Sequence, residues 1–151
     1  MYLKALLFCS VATFFFGFLL NAPKKSMPVS ALIGGVGYLI YLFFAQEGHG
    51  GEILGYFFAG LFMALASEIV ARVLHMPATV FITVSIIPLV PGIMLYRTML
   101  HLVEGANAAA LSAGIDTLFA AGAIAIAIAF SSLLMRIYQH MARTKNKGRE
   151  A

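Results

Sequence analysis

Of 151 residues, 62% are apolar and only 11% charged, and mean hydropathy is +0.94. A single soluble core of this size cannot bury so much hydrocarbon, so the chain is an integral membrane protein. The net charge of +4 is no sign of nucleic acid, because the basic residues stand at the edges of apolar runs and in one short tail beside the lipid headgroups.

Apolar runs near spanning length cover 2–20, 29–45, 53–74, 78–96 and 111–135, each long enough as a helix to cross the hydrocarbon. The expected fold is all-α and integral to the membrane, with about five transmembrane helices over 1–142 and a short basic tail over 143–151. The first run, with Lys4 ahead of it, resembles a secretory signal. It is followed by Asn21-Ala22-Pro23-Lys24-Lys25 rather than by a small-residue cleavage site, so it is read as part of the mature protein. Its Cys9, the only cysteine, excludes an intrachain disulfide or a thiolate zinc cluster and reads as a small buried hydrophobe.

The second run is short and carries Gly34, Gly35 and Gly37; a re-entrant segment, leaving four spans, is the alternative there. No strand precedes these glycines, so close helix packing explains them better than a dinucleotide fingerprint. The third run holds Gly51, Gly55 and Ala59 at four-residue spacing, a face suited to close packing. It also holds Glu68, about 9 Å from its far end at 1.5 Å per residue, with Arg72 one turn later. The two are either a partly hydrated ion pair or a proton-coupling or gating element.

The fourth run is interrupted by Pro88-Leu89-Val90-Pro91-Gly92. Proline removes an amide donor and strains the residue before it, so carbonyls are freed where no lipid can satisfy them. Pro88 lies ten residues past Ala78, about 15 Å in a hydrocarbon core of about 30 Å, hence at mid-depth. A discontinuous helix there offers backbone dipoles to a solute. Ser85, Thr83, Pro88, Pro91 and Gly92 are therefore the candidate substrate path, a cradle for a carboxylate. Its alternative is a proline kink healed by neighbouring helices. Arg97 and His101 read as snorkelling residues of an outer mouth.

In the fifth run, Asp116 stands before a charge-free stretch, and Ala123 to Ala129 alternate with isoleucine at strand period; length decides for a helix. Ala113, Thr117, Ala121, Ala125 and Ala129 form a small-residue stripe, for packing within the chain or docking another. Five spans enclose little interior, so a partner or a second copy of the chain is expected. His49, His75, His101 and His140 share no helical face that would hold a metal. No cofactor is expected, and the lack of any nucleophile and base pair argues against an enzyme.

Lys24, Lys25, Arg72, Arg136, Arg143, Lys145, Lys147 and Arg149 fall on one side, against Lys4 and Arg97 on the other. This predicts an outside amino terminus and a cytoplasmic carboxyl terminus. The loop 46–52 carries Glu47 and Glu52 without Lys or Arg, as an outside loop does.

Pro77-Ala78-Thr79-Val80-Phe81, Ile86-Ile87-Pro88-Leu89-Val90-Pro91-Gly92 and Tyr96-Arg97-Thr98-Met99 resemble the small integral-membrane half of the threonine/serine exporter (ThrE-like) family, the YjjB-like proteins. Asn21-Ala22-Pro23 and Ser67-Glu68-Ile69 with Arg72 are similar too. The chain departs from many relatives at Ile93-Met94, where they carry further glycines. The resemblance implies a two-part exporter in the cell membrane, in which this chain works with a larger membrane subunit. It implies threonine or serine as solute, or, for some split pairs, a dicarboxylate such as succinate. The reading from another class is a non-transporting membrane scaffold that stabilises a partner complex.

Overall fold

The computed structural model describes residues 2–46 and 50–147. Its elements are α1 (Tyr2–Leu19), α2 (Met27–Ala45), α3 (Glu52–Val73), α4 (Ala78–Ser85), a 3₁₀ turn (Ile87–Leu89), α5 (Gly92–Val103) and α6 (Asn107–Lys147). Among these, α1, α2, α3 and α6 are long and apolar enough to cross a membrane. The fourth apolar run is divided between α4 and α5, of 8 and 12 residues. α2 is an uninterrupted helix of 19 residues, long and apolar enough to cross. Glu47 and His49 of the acidic loop, and Arg149 of the tail, lie outside the described residues.

Three helix ends close in the same way. Asn21, His75 and Gly105 take positive φ of 54°, 53° and 75°. The next amide then reaches back five residues: Ala22 to Gly17 O, Met76 to Ala71 O and Ala106 to His101 O, each at 2.9 Å. This Schellman closure satisfies carbonyls that would otherwise be orphaned and turns the chain sharply. Pro23 and Pro77 follow directly, where a helix could not have continued.

α1, α2 and α3 pack as antiparallel neighbours, α4 inserts against α2 and α3, and α6 packs on α3 and α5. The glycines of α2 are the contact points. A Cβ on Gly34 would lie 2.9 Å from Thr13 Oγ1 and 3.0 Å from Ser85 O, and one on Gly35 would overlap Ser10 Oγ. Lipid offers no hydrophobic drive for helix association, so such close approach, with its dispersion contacts, holds the bundle together.

α6 runs parallel to α3. A Cβ on Gly60 would meet Ala127 Cβ at 3.3 Å, while Glu52 and Tyr56 share a hollow with Asp116 and Ala120 nearer the start of both helices. Tyr2 bonds to Gln46 through its hydroxyl, so the amino end lies beside the α2–α3 connection. The carboxyl end of α6 points the opposite way. The core is Ile33 of α2, Tyr56, Ala59 and Met63 of α3, Leu89 of the 3₁₀ turn, and Ala120, Ala123 and Ile124 of α6. Phe8, Leu19, Ile93, Val103 and Leu118 are exposed, as suits a surface solvated by acyl chains.

Candidate functional site

The interruption follows from its residues. Pro88 has no amide for Val84 O, and Leu89 N–H turns to Ile86 O at 2.9 Å instead of to Ser85 O. Val90 N–H likewise bonds Ile87 O at 3.2 Å, so the chain tightens into one 3₁₀ turn. Pro91 then sits at φ −75°, ψ 55°, with Gly92 N–H on Val90 O at 2.7 Å. That is an inverse γ-turn, which redirects the chain before α5 begins. Leu95 N–H on Pro91 O at 3.1 Å is the first bond of the new helix, so the amides of Ile93 and Met94 precede its ladder.

Leu89 fixes the depth of the break. Its Cδ2 would lie 3.7 Å from a Cβ on Gly60, a residue about 12 Å along α3 from Glu52 and about 20 Å from Val73 at 1.5 Å per residue. Leu89 is only 1% exposed and plugs the bundle at this level. From it toward the Glu52 end opens a cavity of about 270 Å³, walled by Pro88 to Met94, Tyr38, Tyr41, Tyr56, Glu52 and Arg97. The Tyr41 and Tyr56 rings are 4.7 Å apart and those of Tyr38 and Tyr41 5.6 Å, while the Tyr56 hydroxyl contacts Met94 Sδ at 3.6 Å. The aromatic wall thus braces α2, α3 and the start of α5 against one another.

The residues singled out in the sequence do not all meet at one place. Pro88, Pro91, Gly92 and Arg97 all line the cavity. Ser85 does not: it is fully buried below the plug, its Oγ 3.4 Å from Ser67 Oγ and donating to Ile82 O at 3.3 Å. Thr83 is exposed on the outside of the bundle. Glu68 and Arg72 are apart from the cavity, with Arg72 Nη2 3.8 Å from Glu68 Oε2. That nitrogen is buried and makes no hydrogen bond, so the carboxylate is its compensating charge. His101 faces Glu104 at 3.6 Å. Cys9 is partly exposed in an apolar groove along the other flank of the break, with Phe8, Phe16 and Pro88.

Four cavity residues with polar side chains were not among the sequence candidates: Tyr38, Tyr41, Tyr56 and Glu52. Their signal was faint but present, as tyrosines three apart on one helical face and a lone acid opening an apolar run. An adjoining hollow of about 320 Å³ shares Glu52, Tyr56 and Met94 with the cavity and adds Asp116. Most of the fifth-run stripe turns outward: Ala121, Ala125 and Ala129 are exposed, whereas Ala120, Ala123 and Ala127 are buried against α3. Thr117 instead meets α5, its Oγ1 3.4 Å from Thr98 Oγ1.

No solved structure matches the chain. A family model described as threonine/serine exporter, ThrE, matches residues 5–134, from the first turn of α1, through the break and the cavity, to the inner length of α6. The chain therefore belongs to the threonine/serine exporter family of membrane transporters.

Proposed function

We propose that this chain is the small subunit of a two-part exporter, and that the cavity beside Pro88–Gly92 is where its solute meets the protein. The observation carrying this reading is the cavity itself: a hollow with polar groups, opening from the broken helix toward the Glu52 end of the bundle. Broken helices inside a bundle supply backbone groups to solutes in other transporters. Its volume of about 270 Å³ suits a small metabolite, since pockets for drug-sized ligands begin at about 300 Å³. Threonine or serine is the solute class that the family supports, and a dicarboxylate such as succinate is the competing one.

The larger subunit is part of the proposal. α5 has no buried residue, and Ala121, Ala125 and Ala129 leave a small-residue face of α6 unfilled by this chain. Both faces suit another helical subunit, which would close the path that five passes cannot enclose. The amino terminus is placed outside and the carboxyl terminus in the cytoplasm, by the distribution of Lys and Arg.

The test uses a Cys9→Ala background with Gly92→Cys, in membranes holding both subunits. Gly92 lines the cavity, and a Cβ there meets nothing within 4 Å. A small hydrophilic thiol reagent should label this cysteine, and exported solute should slow the labelling. Labelling that only the partner subunit changes, with no effect of any solute, would favour the scaffold reading.

A further inference from the structure

Glu52 and Arg97 carry opposite charges on the wall of one cavity, yet among the described residues neither forms an ion pair, with the other or with any third group. Both side chains are accessible. Had the pair served only to hold α3 to α5, direct contact would be expected, because both are long enough to adjust and unlike charges attract. Two unlike charges held on one small cavity and left unmatched describe instead the complement of a ligand that itself carries both signs.

Resting on the solute site proposed above, we infer that Glu52 and Arg97 are its specificity-determining residues, taking the ammonium and the carboxylate of an α-amino acid respectively. Each residue suits its half of the ligand. Arg97 presents a planar fork of donors that can grip a carboxylate through two hydrogen bonds. Glu52 opens α3, and its carboxylate oxygens can accept hydrogen bonds from an ammonium. Asp116, in the adjoining hollow that Glu52 also lines, adds negative potential on the same side. Tyr41 and Tyr56 stand between as a wall with an apolar face and a hydroxyl edge, suited to a short side chain bearing its own hydroxyl. A dicarboxylate satisfies Arg97 but sets its second carboxylate against Glu52, so this arrangement discriminates by repulsion as well as attraction.

The experiment compares export and binding of L-threonine, L-serine and succinate by the two-subunit complex, for wild type, Glu52→Gln, Arg97→Gln and Arg97→Lys. Binding is read as protection of Gly92→Cys from the thiol reagent, so it needs no turnover. Expected for Glu52→Gln is about ten-fold or greater weakening of amino-acid protection, the loss of one charge-assisted hydrogen bond, with succinate unchanged or improved. Arg97→Gln should weaken protection by all three solutes, and Arg97→Lys should recover part of it. If wild type binds or exports threonine but Glu52→Gln leaves both its affinity and its preference over succinate unchanged, the assignment is overturned and the site reading stands. If none of the solutes protects Gly92→Cys or is exported by the wild-type complex, the site reading fails and takes this inference with it.

Discussion

Gly34→Ala is the sharpest structural test of the bundle around the break. A Cβ at position 34 would sit 2.9 Å from Thr13 Oγ1, 3.1 Å from Thr13 Cγ2 and 3.0 Å from Ser85 O. Ordinary contact to carbon begins near 3.4 Å, so α1 and α4 must each yield by several tenths of an ångström. Thr13 cannot swing aside freely, because its hydroxyl donates to Cys9 O at 2.7 Å, and the third atom is backbone. Overpacking of this kind costs about 1–3 kcal/mol. At about 2–4 °C per kcal/mol for a chain of this size, the purified variant in mild detergent should melt about 2–12 °C below wild type. Gly92→Ala is the matched comparison: nothing lies within 4 Å of its Cβ, so its stability should stay within about 0.5 kcal/mol. The shift in Gly34→Ala should also part Ser85 from Ser67, whose hydroxyls are 3.4 Å apart. A Gly34→Ala protein that melts with or above Gly92→Ala would refute the packing on which the position of the break depends.

Other predictions test the proposed function. Pro88→Ala with Pro91→Ala restores amide donors for Val84 O and Ile87 O, so α4 should extend through the break and draw Leu89 out of its core position; export should fall at least ten-fold in a protein that still inserts, and Gly92→Cys should lose its labelling. Ala121→Leu or Ala125→Leu should weaken recovery of the larger subunit in a pull-down without lowering the melting temperature of the isolated chain, since both residues face outward. Glu68→Gln leaves Arg72 without its carboxylate and should reduce export; if Glu68 also exchanges protons, the pH dependence of export should flatten, whereas exchanging the two residues should rescue a purely structural pair. For orientation, a reporter after Ala151 should be cytoplasmic and Gly50→Cys should react with an impermeant reagent from outside, and reaction only after permeabilisation would reverse that assignment.

The helical membrane class was legible because apolar runs of spanning length have one physical outcome in a bilayer, and the interruption because proline cannot donate. The orientation of individual side chains was not. Thr83 and Ser85 lie two residues apart in a helix apolar on all sides, so hydropathy could not tell that Ser85 turns inward to Ser67 while Thr83 faces out. The cavity's other walls were hidden by distance along the chain: Tyr41, Glu52 and Arg97 come from three helices that only the folded bundle brings to one cavity. The last apolar run ended at Met135, where charges begin, but α6 continues to Lys147. Hydropathy marks the edge of the hydrocarbon, whereas helix hydrogen bonding continues past it into water.

The length of α6 has a mechanical consequence. Its 41 residues make a rod of about 61 Å, twice the hydrocarbon thickness of about 30 Å. Near one end Thr117 touches Thr98 of α5, the middle rests on Gly60, and the other end runs on toward the basic carboxyl terminus. A rod pivoting at its middle works as a lever: a tilt of about 10° carries each end about 5 Å, in opposite directions. A shift of α5 at Thr117, about 15 Å from that pivot, would therefore carry the far end of the helix, about 30 Å from it, about twice as far in the opposite direction. A clamp on that basic end, whether lipid headgroup or protein, would act on the cavity through the whole thickness of the membrane without touching it.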